Sequence, residues 1–494
     1  MNARVPEEEV AGLQVFADQL ESLGDPRGPL LALVLASALA EDPSEARGLN
    51  REAQRLREQQ PQLWAPAGLE QRALSMRAGF PLYLPADEVS EAIELLGDSA
   101  AAMRQLAVRS HDLEMTLVQL EPARALGLHL DGLSERYRRA ETSLDSELWR
   151  DFERAGSGPA VDRLVLASRL SDHACLAESP LESLHLSYPL SATEQSALAS
   201  AKLRSLHLSR IDGMASFAHT LANLPTTLRS FGVWNGLDVL GAEDLQPLAR
   251  LEGLETLSLP RCTAEGLASL RALPKLRSLT TEGVDVEGLE QLVELGLDTL
   301  SLVDVGPEPA LLTLLTRFRG LKTLTLSRLH QDAPVDVSLL GELEGLEELE
   351  LTGNFDGRLT LGPVVWSVEL DRRCQVEVEG AVRCLKTPPG LDHDPRLLAE
   401  VEDLVLYEVL GVEDPGLDRF AGCARLQYLT MSLALRSRRD QLWERGPAWF
   451  DTIPDLRAFC MFGATAEQRA RLGAAHPEIE PNNFYRWPRP YALD

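Results

Sequence analysis

Apolar and polar positions alternate in a fixed six-residue frame, L-x-x-L-x-L, that recurs along most of the chain. The copies are LESLHL from Leu181, LRSLHL from Leu203, LRSFGV from Leu228, LETLSL from Leu254, LRSLTT from Leu276, LDTLSL from Leu297, LKTLTL from Leu321 and LEELEL from Leu346. Weaker copies begin at Val161, Val365, Val401, Leu426 and Leu456. The last four positions alternate with period 2, which predicts a short strand with its leucines on one side. Between strands, EGLASLRAL from Glu265, GLEQLVEL from Gly288 and ALLTLLTRF from Ala310 place apolar residues at helical spacing. A unit of roughly two dozen residues cannot bury its own apolar face, so neighbours must stack and share a core.

This pattern resembles the leucine-rich repeat family. The resemblance implies an α/β leucine-rich repeat solenoid, a horseshoe with a concave parallel sheet and convex helices, over residues 161–461. The family position that follows L-x-x-L-x-L-x-x usually holds Asn or Cys, and here only Cys262 and Asn354 do. Ile211, Val284, Val305, Leu329 and Val409 stand there in other repeats, so apolar packing and other caps are expected to close those turns.

The opening segment FADQLESLGDPRGPLLAL, from Phe16 to Leu33, reads as two helices meeting at GDPRG. Gly24 can end the first, and Pro29 falls in the first turn of the second. Ala17, Asp18, Leu20, Glu21, Gly24, Asp25 and Gly28 match the A-D-W-L-E-x-x-G-D-x-x-G run of the bacterial repeat-companion domain, with Gln19 in place of tryptophan. That likeness implies an N-terminal α-helical capping domain over residues 1–130, bacterial origin and an interaction role. Residues 131–160 then form a transition or degenerate first repeat, and residues 84–155 read as further helix. A tail follows at 462–494. An insert near 371–395 interrupts the array. Within it CQVEVEGAVRC alternates either side of Glu379 and Gly380, predicting a β-hairpin with Cys374 opposite Cys384, both expected as free thiols.

With a net charge of −28 and a pI near 4.8, the chain repels phosphate backbones and anionic lipid, so neither nucleic acid nor membrane is expected as a partner. A protein partner is expected, possibly a basic one, with the chain itself a monomer. The apolar run from Leu30 to Ala40 imitates an export signal but lacks a positive leader, and a cytoplasmic location is expected. The six cysteines show no metal-ligand spacing, so no metal and no cofactor is expected.

The outward strand positions form columns. The second holds Glu182, Arg204, Arg229, Glu255, Arg277, Asp298, Lys322 and Glu347, mostly alternating in sign, as a register-fixing ion-pair ladder would. The third and fifth are rich in Ser and Thr, leaving a shallow polar groove. His185 and His207 fall in one column on successive strands, either as stacked surface rings or, in an alternative of another class, as part of an unrecognised enzymatic site. Trp234 and Tyr407 sit at outward positions, Tyr188 is displaced one residue toward the loop, and all three are candidate interface anchors. No known catalytic motif is present, so the leading expectation is a non-enzymatic interaction scaffold. An inhibitor or immunity-like partner of a basic enzyme is the runner-up. Partner-binding candidates are Trp234, Tyr188, Tyr407, His185, His207, Arg204, Arg229, Glu255 and Arg277.

Overall fold

A computed structural model describes most of residues 14–59 and 181–387. Between these blocks it describes only strand segments, and from 400 to 481 only strand-centred stretches. The chain divides into two compact units. One takes in Gly12–Leu31 and Gln59–Glu282, the other Ala32–Glu58 and Gly283 onward.

In the first unit a short antiparallel pair, β1 (Ser75–Arg77) and β2 (Phe80–Pro85), opens a parallel run. It continues through β3 (Gln105–Ser110), β4 (His129–Glu135), β6 (Arg163–Leu166), β8 (Ser183–Leu186), β9 (Ser205–Leu208), β10 (Ser230–Val233), β11 (Thr256–Ser258) and β12 (Ser278–Glu282). A separate parallel pair joins β5 (Ser143–Leu144) to β7 (Arg169–Leu170). Helices α3 (Ala192–Leu198), α4 (Gly213–Ala222), α5 (Ala242–Leu245) and α6 (Ala264–Ser269) alternate with the later strands. The leucines of the frame form the core: Leu184, Leu206, Phe231, Leu257 and Leu279 are all buried. Each such burial stabilises by about 1.5–3 kcal/mol, which no single repeat could collect alone.

The same backbone contact joins successive repeats. The amides of Arg204 and Ser205 both donate to the carbonyl of Glu182, at 2.7 and 2.9 Å. Arg229 and Ser230 repeat this on Arg204, Glu255 and Thr256 on Arg229, and Arg277 and Ser278 on Glu255. Register is thereby set at the start of every strand, and with it every outward column.

The second unit has parallel strands β13 (Thr299–Val303), β14 (Thr323–Arg328), β16 (Glu348–Gly353), β18 (Ser367–Leu370), β20 (Cys384–Thr387), β21 (Asp403–Leu406), β22 (Tyr428–Met431), β23 (Ala458–Met461) and β24 (Glu480–Pro481). Helices α7 (Val286–Leu292) and α8 (Pro309–Leu315) pack beside the first of them. Both units are thus α/β leucine-rich repeat arrays. The turns close as expected where Ile211, Val284 and Val305 are buried. Leu329 and Val409 lie outside the described residues. Helix caps do the polar work instead: Ser191 and Glu194 form a reciprocal capping box, and Thr263 and Asp285 accept from Gly266 and Gly288.

Two expectations fail. Residues 80–85, 105–110 and 129–135 are strands of the parallel run and not the helix expected there. Short apolar runs such as QLAVRS fit either period, and an adjacent strand offers the backbone its partners. The insert is no hairpin either. β19 (Gln375–Glu379) runs parallel to β17 (Phe355–Thr360), which pairs with β15 (Val335–Asp336) in a second sheet, while β20 belongs to the main run. Paired residues Glu348, Ser367 and Cys384 show why, being only 19 and 17 positions apart. An extended segment covers about 3.3 Å per residue against 1.5 Å in a helix, so a short repeat closes with a strand. The alternation was read correctly, with Val376 and Val378 buried and Gln375 and Glu377 exposed.

Cys374, just ahead of β19, and Cys384, at the start of β20, therefore do not face each other across a hairpin. Both are buried and outside any disulfide, as are Cys262 and Cys423. The Cys374 thiol is shared between the carbonyls of Leu351 and Gly353, at 3.1 and 3.3 Å. Burial pushes the thiols of Cys262 and Cys374 up to about 12 and that of Cys423 up to about 11.

The opening segment folds as its sequence requires. Residues described between 14 and 22 are helical, Gly24 takes φ 71°, and α1 (Arg27–Leu39) follows, then α2 (Pro43–Gln59). The export-like run lies in α1, with Leu30, Leu31, Val34 and Leu35 buried. A Cβ on Gly28 would meet Glu21 N at 2.6 Å and Ala17 O at 2.8 Å, so only glycine lets the helices approach. Beside it Asp25 and Arg27, both buried, form a two-pronged ion pair with Arg27 Nη2 2.6 Å from Asp25 Oδ2. Removing one partner of such a pair strands a buried charge. Asp25→Ala should therefore lower unfolding free energy by about 3 kcal/mol in urea titrations, and a change below about 1 kcal/mol would contradict that role. Native maleimide labelling should spare Cys262, Cys374 and Cys423, with modification following unfolding; rapid native modification would contradict their burial.

Candidate functional site on the open sheet face

Residues of β8, β9 and β10 that point away from the core build one continuous surface. Leu184 pairs with Leu206 and Leu206 with Phe231, so His185, His207 and Gly232 are laterally adjacent. The imidazoles of His185 and His207 lie 4.7 Å apart between centroids, tilted by 46°. His207 in turn lies 5.7 Å from the Trp234 ring, tilted by 36°. Three rings therefore form a row across three strands.

Gly232 makes the row possible. A Cβ there would stand 2.5 Å from His207 Nδ1 and 2.6 Å from its Cε1, so the imidazole occupies the space a side chain would fill. The Trp234 amide donates to Leu208 O at 3.2 Å, which extends the ladder one residue past β10 and places the indole beside that imidazole. His185 Nε2 and Ser209 Oγ are hydrogen-bonded at 2.7 Å. His207 Nε2 is buried and has no hydrogen-bond partner among the described residues. Burial, and secondarily the charge of His185, lower the His207 pKa from 6.5 to about 4.

Around the rings the surface is small and polar. Ser183, Ser205, Ser230 and Ser278 are half-buried and Thr256 is exposed. The charged column lies beyond them. Arg204 Nε stands 3.5 Å from Glu182, and Arg229 Nη1 3.5 Å from Glu255, with all four side chains substantially exposed. Arg277 is exposed on β12. In the second unit Lys322 and Glu347 approach to 3.9 Å. Exposed pairs of this length contribute at most about 1 kcal/mol each.

Of the sequence-derived candidates, His185, His207 and Trp234 come together, with Arg204 and Arg229 on the same strands and Glu255 and Arg277 further along. Tyr188 does not join them. It is 2% exposed, so its ring is part of the core beyond β8 and not an interface anchor. Two positions past Leu186, it continues the inward alternation of Leu184 and Leu186, with exposed Ser187 between. Tyr407 lies outside the described residues. Among the described residues no three His, Cys, Asp or Glu side chains gather as a metal site. Gly232 and Ser209 were not singled out from sequence; the gap in the fifth column at Gly232 was the available signal.

The chain matches no known family description, and no curated protein is similar to it. Among solved structures it is similar to the mouse RP105/MD-1 complex, with 13% identity, 74% of this chain and 71% of the other covered, and a TM-score of 0.39. It is also similar to an internalin from Listeria monocytogenes, with 13% identity, 70% and 93% coverage, and a TM-score of 0.28.

The depressed His207 pKa fixes a sign. Because the folded value lies below the unfolded value of 6.5, the neutral ring's contribution to stability is fully present above pH 6.5 and is lost as pH falls towards 4. His207→Gln should therefore flatten the stability loss between pH 6.5 and 4 in urea titrations. A His207 ring proton in NMR should titrate near pH 4, and a midpoint near 6.5 would contradict the packing of the row.

Proposed function

We propose that the chain is a non-enzymatic protein-interaction array that engages a protein partner through the open face of β8–β12. The ring row carries this reading: a half-buried tryptophan and two imidazoles stand over a floor of small hydroxyls, the composition of an interface anchor with a wet surround. A fixed sheet face presents them with little ordering left to do on binding. Repeat arrays require polar ends, and that need supports the helical hairpin at residues 14–39 as a cap rather than a separate binding module. The net charge of −28 favours a partner that is basic overall, as an inhibitor or immunity-like role against a basic enzyme would require, since opposite fields accelerate encounter. No helix among the described residues is long and apolar enough to cross a membrane.

A photo-crosslinking residue at Ser230, on the open face, should capture one protein in native cells, while the same residue at exposed Glu265 on α6 should not. Trp234→Ala should weaken binding of that protein at least about tenfold without altering the melting profile. Capture from Glu265 alone, or unchanged affinity in the Trp234 variant, would overturn the assignment of this face.

A further inference from the structure

Along the charged column from Glu182 to Arg277 every lateral step but one joins opposite charges. Glu182 faces Arg204, Arg229 faces Glu255, and Glu255 faces Arg277. The exception is Arg204 beside Arg229, whose amide donates to Arg204 O at 2.7 Å and so holds the two residues at neighbouring positions. Like charges set side by side weaken a sheet, so register alone gives no reason for this step. Each guanidinium has its carboxylate on the outer side, Glu182 for Arg204 and Glu255 for Arg229, through single contacts of 3.5 Å. Between them lies a cationic gap with no carboxylate of the column in it.

The two strands that carry this gap also carry the aromatic end of the row. From Arg204 the strand β9 leads through Ser205 to His207 and Ser209. From Arg229 the strand β10 leads through Ser230 and Gly232 to Trp234. Second and seventh positions of one repeat are separated by about 16 Å along the strand, within reach of a short extended segment. The two serines between offer hydroxyls at the floor, and Gly232 keeps the path low.

We propose that β9 and β10 form a recognition site for an acidic peptide segment of a protein partner. An Asp or Glu carboxylate enters between Arg204 and Arg229, and an apolar or aromatic side chain about three to five residues away packs on His207 and Trp234. Arginine forks match carboxylates in two-pronged geometry, and the loose contacts to Glu182 and Glu255 are readily exchanged for it. The proposal rests on the open face being the interaction surface, and it adds that the local anchor of the partner is anionic even where the whole partner is basic.

The full chain should be panned against a phage-displayed library of random dodecapeptides, and the strongest selected peptide measured by fluorescence anisotropy. Selected sequences should pair Asp or Glu with Phe, Tyr, Trp or Leu at the stated spacing. Arg204→Ala and Arg229→Ala should each weaken the peptide at least about tenfold, with Arg277→Ala, two strands away, within about twofold of the parent. Selection of Lys- or Arg-rich peptides whose binding still falls on Trp234→Ala would overturn the carboxylate site while leaving the interaction face standing. Absence of any acidic enrichment, or equal losses in all three arginine variants, would also overturn it.

Discussion

The structure depends on one recurring backbone contact: a carbonyl at the second position of a frame that accepts from the second- and third-position amides of the next. Glu182 does this for Arg204 and Ser205, and Arg204 does it in turn for Arg229 and Ser230. In the second unit Asp298, Lys322, Arg383 and Glu402 serve the following repeats in the same way. A slip of one residue would turn every leucine outward and every serine inward, so the contact and the hydrophobic alternation enforce one another. Repeat length is free to vary around it. Repeats of 21 to 26 residues mostly return through a helix and the short ones of 19 and 17 residues through β17 and β19, yet both deliver the next strand to the same register.

Fixed register turns sequence positions into columns, and columns are what give the open face its chemistry. His185 meets His207 because both are fifth residues of their frames, and Trp234 reaches them because the fifth residue of its own frame is glycine. The cost of that arrangement falls on His207, whose buried ring resists protonation. Arg204 and Arg229 adjoin for the same geometric reason, their second-position side chains having nowhere else to go.

Much of this was legible in the sequence because the L-x-x-L-x-L frame fixes strand position, inward face and lateral neighbours together. The His–His contact and the Glu182–Arg204 and Arg229–Glu255 pairs follow directly from it. Features outside the frame were harder. β2 and β3 carry no full copy of it, so their apolar runs were indistinguishable from helix. At β19 the alternation named a strand correctly, but a local hairpin competed with a partner some twenty residues away in β17, and only repeat length decides between them. Tyr188 misled because the inward alternation of Leu184 and Leu186 runs on past the strand end and takes its ring into the core. Gly232 was silent because its contribution is space.

The central claim is that partner binding orders the open face of β8–β12 and not the helices behind it. Hydrogen exchange of the full chain, alone and bound to the protein captured through Ser230, tests this most directly. Slowed exchange should concentrate in residues 203–209 and 228–234, with α4, α5 and α6 exchanging at their free rates. Slowing confined to those helices, with the two strands unchanged, would contradict the account.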